Sequence, residues 1–555
     1  MTTTIYRVSG TLMATSAVHV GADTDGLDVD ANQFVDGLGR VTIPGTSLAG
    51  VIRSLIDVDE AGAAPDGTSK TLWGTLERAS RITVYDAWVD GPPVTPANLD
   101  IRTSSSIDRQ TGGPAERHLF SRRLVPKGTR FRFRLDIEGS DTEPSEKPEA
   151  ITDMLGRILR NLAGDGFAVG AGVTRGLGRI TLVEGWQIRT HTLRRDTLRD
   201  ALESGSYAAM TVGRRELPGG TLRITVPWSP VGPVMSSVSE QGAAADDFPL
   251  TATQWDRNNK KSWRTRLALV IPGSSVKGVL RSHAERIARG AAGITAVPDA
   301  FLEQLEGAGL PAISELFGTA RERSAEAGPR GRKGSLVVHD VTSVRLAGTA
   351  EWERLRDAAA GEVALPDDRR SALRGAQDQA DANELAKAID AFNKSQANPS
   401  ASDEGIWLDV VTRNSIDRWT GAAAEKRLFT VIEPHASWTP IVIDLDVARL
   451  RRQRANLDAA LALLILVLID AAEGWLAIGH ATTRGLGSVR IDPTEVMFAL
   501  EESERAKETT DSVAALDRRS LQEVLDDPEL LERLTRAWTV ATEAAAAQGP
   551  ENADV

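Results

Sequence analysis

Cysteine is absent from all 555 residues. That removes disulfide frameworks, thiol nucleophiles, zinc ribbons and iron–sulfur sites together. Aromatic residues are scarce, at 5%. Histidine is scarcer still. His19, His118, His191, His283, His339, His435 and His480 show neither HxxxH-type ligand spacing nor a convincing Ser–His–Asp set. Long apolar runs are missing too: Ala459–Ile469 is the longest, and Asp470 closes it. A bilayer span needs about 20 apolar residues, so no membrane partner is expected. Met1–Arg7 offers neither a basic n-region nor an apolar h-region, so no signal peptide is expected and the cytoplasm is the expected compartment.

Basic charge is in deficit, with 65 Lys and Arg against 77 Asp and Glu, a net of −12. The deficit is local. Glu501–Val555 carries 14 acidic and 6 basic residues, a net of −8, which leaves −4 for the other 500. A near-neutral body can present a basic groove, because phosphate binding depends on local clusters rather than on the total.

What is present is a repeat. Ile43-Pro44-Gly45-Thr46-Ser47-Leu48-Ala49-Gly50-Val51-Ile52-Arg53 returns as Ile271-Pro272-Gly273-Ser274-Ser275-Val276-Lys277-Gly278-Val279-Leu280-Arg281. Arg81–Asp86 returns more weakly as Ser335–Asp340. Ser105-Ser106-Ile107-Asp108-Arg109-Gln110-Thr111-Gly112 returns as Asn414-Ser415-Ile416-Asp417-Arg418-Trp419-Thr420-Gly421. Gly172–Gly178, containing Thr174-Arg175-Gly176-Leu177-Gly178, returns as Ala481–Gly487, containing Thr483-Arg484-Gly485-Leu486-Gly487. Four ordered matches indicate a tandem duplication. The reading is a first domain over 1–190, a linker over 191–218, a second domain over 219–497 and an acidic helical extension over 498–555. The second domain carries an inserted helical segment at about 350–402.

Within one half, Ile5–Val20 alternates as a strand and Leu48–Ile56 has helical spacing, with Thr46 or Ser47 as its cap. Phe131–Ile137 alternates strictly, Ile151–Leu162 is an amphipathic helix, and Arg179–Val183 leaves the glycine-rich turn as a strand. The order strand, helix, strand, strand, helix, strand predicts a ferredoxin-like α+β unit, present twice.

Several motifs suit RNA. Glycine-rich turns with Arg175-Gly176 or Arg484-Gly485 can let backbone N–H groups approach a phosphate. The Ile-Pro-Gly turns place Ser47 or Ser275 at a helix N-terminus, with Arg53, Lys277 or Arg281 nearby. Around Ile107-Asp108-Arg109 lie Arg117, Leu119-Phe120, Arg122, Arg123 and Lys127; around Ile416-Asp417-Arg418 lie Lys426-Arg427 and Leu428-Phe429. Apolar wedges beside cations fit a splayed single strand. For chemistry, Asp23, Asp25, Asp28, Asp30 and Asp36 crowd the first half, and Asp246 and Asp247 precede Phe248-Pro249 in the second. An Asp beside a scissile phosphate can bind Mg²⁺ or position the attacking oxygen.

With these segments the chain resembles the RAMP superfamily of CRISPR proteins. Specifically, it resembles the guide-binding backbone subunit of type III effector complexes, fused as two copies. The resemblance implies two RRM-like palms with thumb β-hairpins opened by the Ser-Ile-Asp-Arg-x-Thr blocks, a crRNA guide, a complementary target RNA and other effector subunits as partners. It implies target cleavage at regular intervals by 2′-OH attack, with Mg²⁺ or Mn²⁺ at a loop Asp ahead of Ile-Pro-Gly. Asp247-Phe248-Pro249-Leu250 matches that Asp in the second half. Asp30 matches by spacing in the first, with Asp28 and Asp246 as the rivals. One or both halves can then cut. The alternatives are a catalytically silent scaffold in the same complex, or a crRNA-processing endoribonuclease.

Overall fold

The computed structural model describes residues 3–22, 29–56, 67–92, 94–140, 143–164, 166–183, 185–193, 208–212, 220–238, 242–257, 262–306, 309–319, 331–361, 374–396, 405–453, 456–500 and 512–547. Asp23, Asp25 and Asp28 lie outside them.

In the first half, β1 (Thr3–Ala14) leads through α1 (Gly45–Ile56) to β2 (Ile82–Val84). A long hairpin follows, β3 (Asp100–Ile107) with β4 (Pro114–Leu124). Then come β5 (Arg130–Ser140), α2 (Pro148–Ala163), β6 (Arg179–Leu182) and β7 (Gln187–Leu193). The sheet runs β7–β1–β5–β2, every neighbour antiparallel, with β6 joining the far end of β1 at Leu12↔Leu182. That order is the ferredoxin-like one expected from the alternation. Tyr6, Val8, Leu12 and Ala14 point into the core, where Leu48, Ile52 and Ile56 of α1 and Ile151, Leu155, Ile158 and Leu162 of α2 meet them at helical spacing. β1 ends at Ala14, short of the expected Val20, because Ala14 and Val18 bond instead to Thr129 and Val125 in the loop after β4. β7 crosses the boundary placed at 190, and β8 (Ala208–Met210), inside the expected linker, pairs with β7 as an edge strand.

The second half repeats the plan. β9 (Thr221–Val226) is followed by an added hairpin, β10 (Thr251–Arg257) and β11 (Trp263–Ile271), then α3 (Gly273–Ala292) and β12 (Leu336–Val338). The insertion forms α4 (Thr349–Ala360) and α5 (Arg374–Gln396). The second long hairpin, β13 (Trp407–Ile416) with β14 (Ala423–His435), leads to β15 (Ile441–Asp446), α6 (Leu457–Ala472) and β16 (Met497–Leu500). The sheet order is β12–β15–β9–β16, the same as in the first palm.

One repeated hydrogen bond explains why the first two motifs recur together. Asp86 Oδ1 accepts from Gly45 N at 2.7 Å, and Asp340 Oδ1 accepts from Gly273 N at 2.8 Å. The closing Asp of the second motif therefore caps the helix opened by the first, a role expected of Thr46 or Ser47. Glycine is required there: a Cβ would lie 2.3 Å from Val84 O or 2.2 Å from Val338 O.

The acidic extension is no independent appendage. Its helix α7 (Pro528–Ala547) packs on α6 and α3, burying Leu530 and Leu534. This accounts for the apolar run Ala459–Ile469: α6 is covered on both sides, whereas α2, its counterpart, keeps a polar face. Among the described residues no helix is long and apolar enough to cross a membrane.

The halves are joined by buried charge. Arg102 of β3 reaches Asp340 at 2.7 Å, with the side chains 6% and 12% exposed. Arg179 of β6 reaches Asp444 at 3.1 Å, and Asp444 also takes Arg223 at 2.8 Å and His339 at 2.7 Å. The added hairpin β10–β11 is a third tie: Thr253 donates twice to Asp100, and Trp255 N donates to Lys127 O at 2.8 Å.

Burial alone pushes the Asp444 carboxyl up, but His339 and Arg223 outweigh it and hold it well below the usual carboxylate range. A carboxylate depressed by folding stabilises above its unfolded value and loses that contribution as pH falls through the folded one. Asp444→Asn is expected to cost about 3 kcal/mol near neutrality and to flatten the loss of the urea midpoint on acidification below about pH 4. Leu534→Ala is expected to cost about 2–5 kcal/mol through the cavity left under α7, read in the same titration.

Candidate nucleic-acid interface and cleavage site

The two long hairpins are superimposable in register. Ser105 faces Leu119, an irregularity follows, and Ile107 faces Pro114; Asn414 faces Leu428, the same irregularity follows, and Ile416 faces Ala423. Each tip is closed by its Asp. Asp108 Oδ1 accepts from Gln110 N and Thr111 N at 2.8 Å, and Asp417 Oδ1 accepts from Trp419 N at 2.9 Å and Thr420 N at 2.8 Å. These bonds lower both carboxyl pKa values. Asp108 and Asp417 thus shape the thumb tips.

The tips have different surroundings. The first lies on the second half: Arg109 Nε donates to Glu285 Oε2 at 2.9 Å, Arg109 N donates to Gln304, and Gln110 donates to Asp299. Arg109, expected to grip RNA, is largely buried in that contact. The second tip leaves Ile416, Arg418, Trp419 and Leu428 exposed, Trp419 almost completely. The side chains of Lys426 and Arg427 lie outside the described residues.

Between the halves lies a seam of cations. Arg122, on the strand that returns from the first thumb, stacks over Phe120 at 5.0 Å, and its buried Nε has no hydrogen-bond partner among the described residues. Burial, with Arg175 and Arg102 close by, pushes its pKa down. Lys277 is 7% exposed and donates to Leu336 O at 2.6 Å. Burial together with Arg175, Arg281 and Lys333 pushes it down to about 7. Gly176 brings the first glycine-rich turn onto Asp340: a Cβ there would meet Asp340 N at 2.6 Å, whereas Gly485 opposes nothing within 4 Å. Arg281 is spent on Glu285, Gly318 O and Leu305 O, which makes it a scaffold residue rather than a phosphate grip. Arg123 donates to Pro96 O and accepts from His19 through its carbonyl. Ser47 and Ser275 sit in the first turns of α1 and α3, and Arg53 in the last turn of α1.

The carboxylate loops settle which residues correspond. Asp30 Oδ2 accepts from Ser121 N at 2.7 Å and Ser121 Oγ at 2.8 Å, contacts that lower its pKa. In the second half, Asp246 Oδ2 accepts from Thr430 N at 2.7 Å. Ser121 and Thr430 occupy the same position in their thumbs, so Asp30 is the counterpart of Asp246. Asp247 bridges to Val431 as Ala31 bridges to Arg122. The residue matching Asp247 is therefore Ala31. Matching Asp30 to Asp247 by spacing is off by one residue, since Pro249 pairs with Ser237 as Gln33 pairs with Gly21.

Asp247 has company the sequence did not reveal. Its Oδ1 accepts from Ser237 Oγ at 2.9 Å and its Oδ2 from His480 Nε2 at 3.1 Å; Arg484 lies 3.3 Å from the same ring nitrogen. The His480 hydrogen bond is the main cause of a lowered Asp247 pKa, against the effect of burial. His480 precedes the repeated glycine-rich turn by one residue, and its counterpart in the first half is Ala171. Gly479 makes the approach possible, because a Cβ there would stand 2.3 Å from Met235 O.

A divalent cation at Asp247 would find one carboxylate with both oxygens engaged, and Asp246 beside it bonded to Thr430. No group of three His, Asp or Glu side chains gathers to hold an ion among the described residues. The donor set there, rich in N–H and guanidinium, does not fit a resident divalent cation, which prefers several oxygens.

Arg122→Ala and Arg175→Ala are expected to weaken binding of single-stranded RNA at any sequence. Each should lower the slope of log affinity against log salt by about 0.7, measured by fluorescence anisotropy.

A family model described as the RAMP superfamily matches residues 11–181 and 268–490, which takes in both thumbs, parts of both palms and more than half of the chain. No curated protein matches the chain. The chain belongs to the RAMP superfamily and carries its domain twice.

Proposed function

We propose that the chain is a double backbone subunit of a type III-like CRISPR effector complex, holding a crRNA guide along both halves and cutting complementary target RNA in the second. The single observation that carries the reading is the pairing of two thumb hairpins of the same register with a seam of crowded cations, Arg122, Arg175 and the buried Lys277. Arg122, Arg175 and Lys277 are crowded together at a cost that a phosphate backbone would relieve. Sequence selection would then fall to guide–target pairing, with the protein reading backbone and shape.

The contact of the first thumb with the second half suggests how the exposed second thumb meets a neighbouring effector subunit. Trp419, Ile416 and Leu428 would supply the apolar part of that contact.

The halves are proposed to differ in chemistry. Where the first has Ala31 and Ala171 beside Arg122, the second has Asp247 and His480 beside Val431. The first half serves as the scaffold and the second as the nuclease. An Mg²⁺ or Mn²⁺ requirement is a separate proposal, in which Asp247 would share the ion with RNA phosphates and water.

The test uses the full chain purified with its guide and given end-labelled complementary RNA. One cut per bound chain is expected, lost in Asp247→Ala and kept in Asp30→Ala, with guide retention unchanged in both. Two cuts, or one lost only in Asp30→Ala, would overturn the division of labour. Failure to retain any RNA would overturn the whole reading.

A further inference from the structure

The added hairpin β10–β11 covers the root of the first thumb, while the matching root of the second thumb lies open beside an aromatic cavity. We infer that this second root is a docking site for a β-hairpin of a different protein chain, one that presents a hydroxyl residue and, two positions on, an aromatic one. The inference stands on the internal repeat and needs neither guide binding nor cleavage.

The covered root shows what recognition consists of. Asp100, where β3 begins, accepts from Thr253 N at 2.8 Å and from Thr253 Oγ1 at 2.6 Å. Trp255 N donates to Lys127 O at 2.8 Å. Gly128 lets the two backbones close, because a Cβ there would lie 2.1 Å from Trp255 O. Thr253 and Trp255 leave one strand from the same face, and the Trp255 ring packs against the first core. Trp263, on the return strand, lies beneath the Arg130 guanidinium at 5.6 Å.

The second thumb has the same root. Asp100 pairs with Leu124 as Asp409 pairs with Glu433, so Asp409 stands where Asp100 stands. Arg130 O accepts from Asp90 N as Ser437 O accepts from Val344 N, so Ser437 matches Arg130. Arg130 follows Leu124 by six positions and Ser437 follows Glu433 by four, which makes the receiving turn two residues shorter. Beside it opens a cavity of about 550 Å³, walled by Trp228, Trp407 and Trp438, by Ser437, and by Asn393 and Gln396 of the inserted helix α5. That size and aromatic lining suit a bound group. The walls are fixed: Trp228 and Trp438 stack at 6.0 Å, and the Asn393 amide bonds Leu408 N and O, both at 2.9 Å. Trp407 is 52% exposed. Asp409 is equally exposed, and its printed contacts are Trp407 Nε1 at 3.0 Å and His435 Nε2 at 3.2 Å, which leave lone pairs for further donors.

The occupant follows from charge and reach. No Lys or Arg lines the cavity and Asp409 lies next to it, which disfavours a phosphate backbone. A second copy of this chain does not fit either. Val35 bridges Val41 as Thr251 pairs with Leu269, so the turn Asp36–Arg40 is the short form of β10–β11. Gly37 then takes the place of Thr253 without a hydroxyl. The turn, tied by Asp36 to Leu38 N and Arg40 N at 2.9 Å, closes before the place of Trp255. The long hairpin of a second copy is committed to its own first thumb.

The test is fluorescence anisotropy of the full chain with a labelled peptide of sequence Thr251–Leu269, cyclised because an isolated hairpin is marginal in water. Saturable binding is expected, since the tethered internal hairpin outcompetes the peptide at the first root and leaves the second free. Trp407→Ala and Asp409→Asn in the chain, and Thr253→Val and Trp255→Ala in the peptide, are each expected to weaken it by roughly tenfold or more. Trp475→Ala, at an exposed tryptophan elsewhere, should leave it unchanged. No saturable binding, or equal binding by the Trp407→Ala and Asp409→Asn chains, would overturn the inference. Displacement of the peptide by an oligouridine would overturn it in favour of a nucleobase. Dimerisation of the chain alone, abolished by Trp407→Ala, would overturn it in favour of a second copy. Each of these outcomes leaves the RNA-binding reading as it stands.

Discussion

Two arginines of the first half end on buried carboxylates of the second, Arg102 on Asp340 and Arg179 on Asp444. Neither carboxylate is free to choose another role. Asp340 also caps α3, and Asp444 also binds Arg223 across the sheet. Removing Arg102 would strip the buried Asp340 carboxylate of the cation it binds, a cost of several kcal/mol that holds the two palms in one relative placement. That placement creates the seam of Arg122, Arg175 and Lys277 and lays the first thumb on α3. The first palm satisfies its own equivalent carboxylate internally: Asp136 takes Arg7, Arg134 and Tyr85. Duplication therefore supplied the site, and divergence turned it outward as a joint.

A shared backbone with unequal side chains is the theme of the functional region as well. The thumbs agree residue for residue in register, and the glycine-rich turns agree in their left-handed glycines, with Gly176 at φ 86° and Gly485 at φ 89°. What differs is what two positions carry. In the first palm the two positions carry Ala31 and Ala171 beside Arg122; in the second they carry Asp247 and His480 in contact, beside Val431.

Much of this was legible in advance. The ferredoxin-like order and the helices expected over 48–56 and 151–162 follow from local periodicity and turn chemistry, and the thumbs at the Ser-Ile-Asp-Arg-x-Thr blocks from the family resemblance. The site was legible only in outline. Asp247 stood out beside Phe248-Pro249, but its counterpart could not be found by counting, because the loops differ and alignment rests on bonds to Ser121 and Thr430. His480 carried no signal, since its partner lies 233 residues earlier. Arg109 and Arg281 looked like RNA grips and turned out to hold Glu285, a residue with no motif of its own.

By itself the sequence determined the repeated units and their internal chain order, because hydrophobic spacing, glycine turns and capping act over a few residues. The tertiary structure alone decided which carboxylate meets which cation, which aspartates correspond, and that α6 lies beneath a terminal helix. Those outcomes depend on contacts between segments hundreds of residues apart, where the energy of burying a charge or an apolar face selects the partner and no local pattern encodes it.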